Sequence, residues 1–218
     1  MRTYRKYELN PYIEYGLSDR LTVGANIFLD KVSQYDTTSS QNRTNLGIGD
    51  SEFFARSQIW KKDGLVFSAE PMIKLPSPDS RSDSPQIGSD KFEAGLSFSG
   101  GYGFKAWELD HFIDISTGYR HRFGTPHDQF KLSATAGFSV TKQIVITTQL
   151  FSTLRTDKSA SPAFTQSSID DYDLTKLQIS AAYKIDDKLS LQLGVFDHIY
   201  GRNVGSGGGT IFSVNKVF

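Results

Sequence analysis

The feature that most constrains this chain is a period-two alternation of apolar and polar residues, repeated from one end to the other with almost no helical signal. Leu21, Val23, Ala25, Ile27 and Leu29 alternate with Thr22, Gly24, Asn26, Phe28 and Asp30. Leu189, Leu191, Leu193 and Val195 alternate with Ser190, Gln192, Gly194 and Phe196. Successive strand side chains point to opposite faces, so the pattern gives each strand one apolar and one polar face. The turns between segments are alternately short and long, and the last segment ends on an aromatic carboxyl terminus, Phe218. These features together fit an all-β fold, an antiparallel transmembrane β-barrel of one domain over residues 1–218.

A soluble barrel or sandwich also alternates, but the face it buries is an apolar core. Here the polar face carries charges through mid-strand, which favours lipid outside and water inside. No apolar run approaches the roughly 20 residues that a membrane helix needs. The chain has no cysteine, so a disulfide framework, a thiolate metal site and a cysteine nucleophile are all excluded. The formal net charge is zero, and no overall field recruits nucleic acid or acidic partners.

The alternation resolves into about eleven strands. The first runs from about Tyr4 to Gly16 and the second from Leu21 to about Asp36, followed by a long polar segment, Thr37 to Leu46. The third spans about Gly49 to Trp60, with a tight hairpin signal at Lys61-Lys62-Asp63-Gly64. The fourth is Leu65 to Leu75, and a Pro/Ser/Asp segment, Pro76 to Asp90, separates it from the fifth, Phe92 to about Phe104. The sixth is His111 to Phe123, the seventh Gln129 to Val140 and the eighth Ile144 to Arg155. The longest polar loop, Thr156 to Asp171, precedes the ninth strand, Tyr172 to Ile185. The tenth, Leu189 to about Tyr200, and a glycine-rich loop, Gly205 to Gly209, lead to the last, Thr210 to Phe218.

Short turns read as periplasmic and long loops as extracellular, which puts the last strand's end in the periplasm. An even strand count then asks for one more strand before Tyr4, hence twelve in the native barrel with its N-terminal strand missing here. Met1-Arg2-Thr3-Tyr4 leads directly into a strand without an export leader, which an outer-membrane protein needs. Tyr15, Tyr119, Phe123, Phe138 and Tyr183 stand near strand ends, where interfacial aromatic girdles form.

Several segments resemble one outer-membrane family. "YELNPYIEYGLSDRLTVGANI" (Tyr7 to Ile27), "GIGDSEFFARSQIW" (Gly47 to Trp60) and "EPMIKLPSP" (Glu70 to Pro78) are similar to its N-terminal half. "GYRHRFG" (Gly118 to Gly124) and "LSLQLGVFDHIYGRNVGSGGG" (Leu189 to Gly209) are similar to its C-terminal half. This is the transporter family named for operons of phenol meta-pathway degradation. The resemblance covers most of the chain in the family's segment order. It implies a channel or transporter in the bacterial outer membrane, with small, hydrophobic or aromatic permeants. The implied surroundings are membrane lipid and lipopolysaccharide, with Phe218 engaging the barrel-assembly machinery.

Function on such a barrel would lie on the polar face. Glu14, Asp30, Glu52, Arg56, Glu70, Lys74, Glu93, Asp114, Arg120, Arg122, Lys131, Arg155 and Lys176 share the polar parity of their strands and are the candidate pore-lining set. Acidic residues concentrate in the first half and basic ones in the second, a pattern that would give opposed acidic and basic walls. The same residues would equally serve as an internally paired ladder, since a buried unpaired charge is costly.

Arg202 and Asn203 are candidates for an extracellular mouth, or for a turn that uses the unusual backbone angles of Asn and Gly. Gly205 to Gly209 lacks the Lys-Ser/Thr and the helix of a phosphate loop. Asp50, Glu52 and the loop residues Asp79, Asp83, Asp90, Asp170, Asp171 and Asp173 lack calcium-loop spacing and read as solvated charge. No cofactor or metal is implied. A lipid-modifying enzyme would need a Ser–His pair; His121 has lipid-facing parity and His127 adjoins it, but no triad-like spacing fixes a partner.

Overall fold

The computed structural model describes residues 2–36, 40–77, 85–89, 91–124, 127–157 and 171–218. Every regular element among them is a strand, as the alternation predicts. The first six strands are β1 (Arg2–Leu9), β2 (Tyr12–Ser18), β3 (Leu21–Asn26), β4 (Leu29–Asp36), β5 (Gln41–Ile48) and β6 (Ser51–Lys62). Four follow in the middle of the chain: β7 (Leu65–Leu75), β8 (Glu93–Ala106), β9 (Leu109–Arg122) and β10 (Gln129–Ser139). The last four are β11 (Ile144–Arg155), β12 (Asp173–Lys184), β13 (Leu189–Arg202) and β14 (Gly208–Lys216).

The larger sheet has the order β14-β13-β12-β11-β10-β9-β8-β7-β6-β3-β2, and a smaller one the order β1-β4-β5. The pairs β1–β4, β4–β5, β2–β3, β3–β6 and those from β9 through β14 are antiparallel.

Two of the sequence's strands are each interrupted once, and a further strand, β5, precedes the third. β1 and β2 are separated by Asn10 and Pro11, β3 and β4 by Ile27 and Phe28, and β5 and β6 by Gly49 and Asp50. Pro11 has no amide to donate, and the interruptions align: Ile27 N donates to Pro11 O at 3.1 Å and Gly49 N to Phe28 O at 2.7 Å. Two interruptions and the additional β5 turn the eleven expected runs into fourteen elements.

One boundary differs. Gln41 to Ile48 is strand, where the sequence suggests a polar loop from Thr37 to Leu46. Pairing with β4 from Leu29↔Ile48 to Asp36↔Gln41 outweighs the low strand preference of Asn42 and Asn45. Residues 37–39 of that loop lie outside the described residues.

The turns follow backbone chemistry. Asp63 (φ 50°) and Gly64 (φ 82°) both take positive φ, the geometry that a two-residue hairpin matching strand twist demands. Trp107 (φ 49°) and Glu108 (φ 61°) adopt it without glycine, at a turn where no glycine marks the sequence.

By compactness the chain divides into two units. The first comprises residues 1–57, 70–96 and 121–125; the second comprises 58–69, 97–120 and 126–218. Apolar side chains at alternate positions are exposed in both: Ile13, Tyr15 and Ile73 in the first, Ile115, Leu193 and Val195 in the second. Tyr119, Phe123, Phe138 and Tyr183, proposed for the girdles with Tyr15, are exposed as well. Among the described residues buried apolar side chains are few (Val32, Ile87 and Val145), whereas the buried polar residues include Lys74, Glu93, Arg122 and Arg155. The inverted distribution is that of a sheet whose apolar face meets lipid.

Candidate functional site: the polar face of the strands

In the first unit the polar face is held by ion pairs. Arg56 on β6 donates from Nη1 to Glu14 Oε1 at 2.8 Å and from Nε to Glu70 Oε2 at 2.7 Å, reaching β2 and β7. Tyr12 completes the group, donating its hydroxyl to Glu14 at 2.5 Å and stacking on Phe54 at 5.7 Å between centroids. The Arg56 guanidinium lies over that same Phe54 ring at 5.3 Å.

A second group surrounds Glu93, which is only 3% exposed. Its Oε1 accepts from Lys74 Nζ at 2.6 Å and from Arg122 Nε at 3.1 Å. Lys74 also donates to Asp50 Oδ2 at 2.8 Å and to Ser89 Oγ at 2.5 Å. Asp50 further accepts from the Ser77 and Ser89 amides and from the Ser89 hydroxyl. It therefore clasps the segments on both sides of residues 78–84 onto the strands. Gly88, at φ 72°, is required here, because a Cβ would come 2.1 Å from Asp50 Oδ1. Asp30, 2% exposed, pairs with Lys6 at 3.0 Å.

On the polar face of the second unit, hydroxyl and amide pairs stand beside charged groups and aromatic rings. Ser116 pairs with Ser133 at 2.8 Å, Thr147 with Ser180 at 3.1 Å, and Gln178 Nε2 donates to Gln149 at 2.9 Å. Lys131 Nζ donates to Thr153 at 2.9 Å. Lys176 lies over two phenyl rings, Phe151 at 4.8 Å and Phe196 at 5.1 Å. Arg155 is 2% exposed, and Asp173 Oδ1 accepts from its backbone amide at 2.8 Å.

Of the sequence-derived set, Glu14, Arg56 and Glu70 come together in one group, and Lys74, Glu93 and Arg122 in another. Asp30 stands with Lys6. Glu52 is opposite Asn26, Asp114 opposite Thr135, and Arg120 opposite Gln129. Arg202 ends β13 opposite Asp173, and Asn203, with φ 57°, donates to Asp171 O at 3.1 Å, as a turn asparagine does.

The reading of Asp50, Asp171 and Asp173 as solvated charge is corrected. Asp171 and Asp173 are each 4% exposed, and Asp171 accepts from both the His127 amide and its Nδ1. Loop carboxylates carry no periodicity, so sequence gives no sign that backbone donors close around them. Asp79, Asp83, Asp90 and Asp170 lie outside the described residues. Tyr12, Ser77, Ser89, Gln129, Phe151 and Phe196 are members of these groups that charge-based reading passes over. The one available signal was parity, since Phe151 and Phe196 are apolar residues in polar-face positions.

An exposed apolar face opposite a charged one on antiparallel strands is the pattern of an outer-membrane β-barrel protein. The chain belongs to the family described as "Putative MetA-pathway of phenol degradation", which matches residues 3–214. Among solved structures it is similar to the COG4313 outer membrane channel from Pseudomonas putida F1, at 17% identity and a TM-score of 0.66, over 98% of this chain and 82% of that one. It is also similar to the KdgM porin in complex with disordered oligogalacturonate, at 10% identity and a TM-score of 0.52, over 100% of this chain and 99% of the porin. The KdgM porin alone gives 12% identity and a TM-score of 0.51 over the same shares. No curated protein matches the chain.

Proposed function

We propose that this protein is a passive channel of the bacterial outer membrane, carrying small hydrophobic or aromatic molecules down their gradients. The observation that carries the reading is the succession of charged and polar side chains along one face of membrane-length strands, from Glu14 and Arg56 to Lys131 and Lys176. Such a face suits water and a permeant better than lipid. The family's link to phenol degradation supports an aromatic permeant, and the solved relatives are named as channels and porins. The same relatives support a channel over a lipid-modifying enzyme. On this reading the candidate set from Glu14 to Lys176 lines the lumen, and Arg202 and Asn203 stand at its mouth. Lipid and lipopolysaccharide surround the apolar face, and Phe218, 99% exposed, is presented to the assembly machinery.

The test is single-channel conductance of the folded chain in a planar bilayer, with Glu70→Gln and Arg120→Gln as probes. Glu70→Gln leaves Arg56 with one carboxylate fewer and should shift selectivity toward anions; Arg120→Gln should shift it toward cations. A folded barrel without conductance overturns the reading and favours a surface barrel with a closed lumen, whose loops bind a partner.

A further inference from the structure

The polar face of β10 to β13 holds two features that the ladder of hydroxyls does not explain. The first is the placement of Lys176. Its ammonium faces the rings of Phe151 on β11 and Phe196 on β13, and both rings occupy positions whose parity is polar. Phe196 has room because β14 places Gly209 opposite it, where a Cβ would come 2.8 Å from the ring. A cation between two aromatic faces offers an arene a stacking surface and a carboxylate a charge partner at one place.

The second feature lies further along β11. Arg155 and Gln129 are directly opposite in register, and each is 2% exposed. Gln129 Nε2 and all three guanidinium nitrogens of Arg155 lack a hydrogen-bond partner among the described residues. Asp173 Oδ1 is 3.6 Å from Arg155 Nε, close enough for electrostatic attraction but too far for a hydrogen bond. Buried donors of this kind are costly without an acceptor, and a guanidinium beside an amide matches a planar oxyanion.

We propose that this face carries a binding track for small aromatic carboxylates, with Lys176 between Phe151 and Phe196 as one station and Arg155 with Gln129 as the other. The stations are four residues apart on β11, about 13 Å at 3.3 Å per residue. Two weak sites in series let an anion enter and leave, as conduction requires. Lys131, paired with Thr153 between them, adds positive potential along the path. The proposal rests on the channel reading and narrows its permeant class.

The experiment titrates the folded full chain in micelles with sodium benzoate, followed by saturation-transfer NMR, and records benzoate block of single channels in a bilayer. Benzoate should bind more tightly than acetate or cyclohexanecarboxylate. Lys176→Gln should weaken it about tenfold, the scale of one charge-assisted contact. Phe196→Leu should abolish the preference for benzoate over cyclohexanecarboxylate. Asp173→Asn, which removes the competing carboxylate without deleting Arg155, should tighten benzoate binding. Benzoate binding no tighter than acetate, or unchanged by both Lys176→Gln and Asp173→Asn, overturns the track. Benzoate bound with these dependences by a chain that conducts nothing supports the track and overturns the channel reading instead.

Discussion

The two compact units meet the same demand, a polar face on membrane-length strands, with different chemistry. The first uses charges of both signs: Arg56 between Glu14 and Glu70, and Glu93 between Lys74 and Arg122. The second adds neutral cross-strand pairs, Ser116 with Ser133 and Gln149 with Gln178, and sets Lys176 against aromatic rings. Ion pairs in a partly desolvated site are strong together and costly when halved, whereas neutral pairs are individually weak and separable. The first unit should therefore respond sharply to loss of one charge, and the second only gently to loss of one hydroxyl.

The largest expected effect is at Glu93. Glu93→Gln removes the negative charge shared by Lys74 and Arg122 where all three side chains are less than a tenth exposed. The expected loss is about 3 kcal/mol, the scale of breaking a buried pair from one side. The midpoint of urea unfolding in micelles measures it; an unchanged midpoint would show that water already screens this group.

The clasp at Asp50 comes next, and pH probes it. Asp50 lies in the break between β5 and β6, outside the strands. Burial alone would raise its carboxyl, but the Lys74 ammonium and the Ser89 hydrogen bonds hold it below the usual carboxylate range. A carboxylate with a depressed folded pKa contributes stability that is complete above its unfolded pKa of about 4 and is lost as pH falls through the folded value. Acid titration should therefore weaken attachment of residues 85–89 below about pH 4, read as faster proteolysis near that segment. Asp50→Asn should show the loosened segment already at neutral pH and flatten the dependence.

How much of this was legible in the sequence follows the same physical division. Period-two alternation is set by backbone geometry, so strands such as β7, β10 and β11 could be placed almost to the residue. Charge parity likewise put Arg56, Glu70, Lys74 and Glu93 on one face. Partner choice could not be read, because Arg56 finds Glu14 from 42 residues away through strand order that periodicity does not encode. Nor could β5: Asn42 and Asn45 have low strand preference, and pairing with the extended partner β4 makes that segment a strand. The expected opposition of an acidic first half and a basic second half also missed local neutralisation, since Arg56 and Lys74 stand among the acids.

A smaller effect should follow at Arg56, whose side chain is 37% exposed. Solvent screening limits each of its pairs, so Arg56→Gln should cost about 1 kcal/mol or less despite two carboxylate partners. The loss should shrink further at high salt, with a Debye length of about 3 Å at 1 M. A cost as large as that of Glu93→Gln would erase the distinction between the exposed and buried groups of the first unit.

The smallest effect belongs to the second unit. Ser133→Ala leaves the Ser116 hydroxyl without its partner at 2.8 Å, and should cost about 0.5–1 kcal/mol, near the net value of one neutral hydrogen bond. Removing both hydroxyls leaves neither one orphaned, so Ser116→Ala with Ser133→Ala should cost no more than the single change. The cycle gives the contrast its most direct form. Non-additivity in the opposite direction, with the double variant far worse than either single one, would mean that the hydroxyl ladder acts as one coupled network and is not a set of independent rungs.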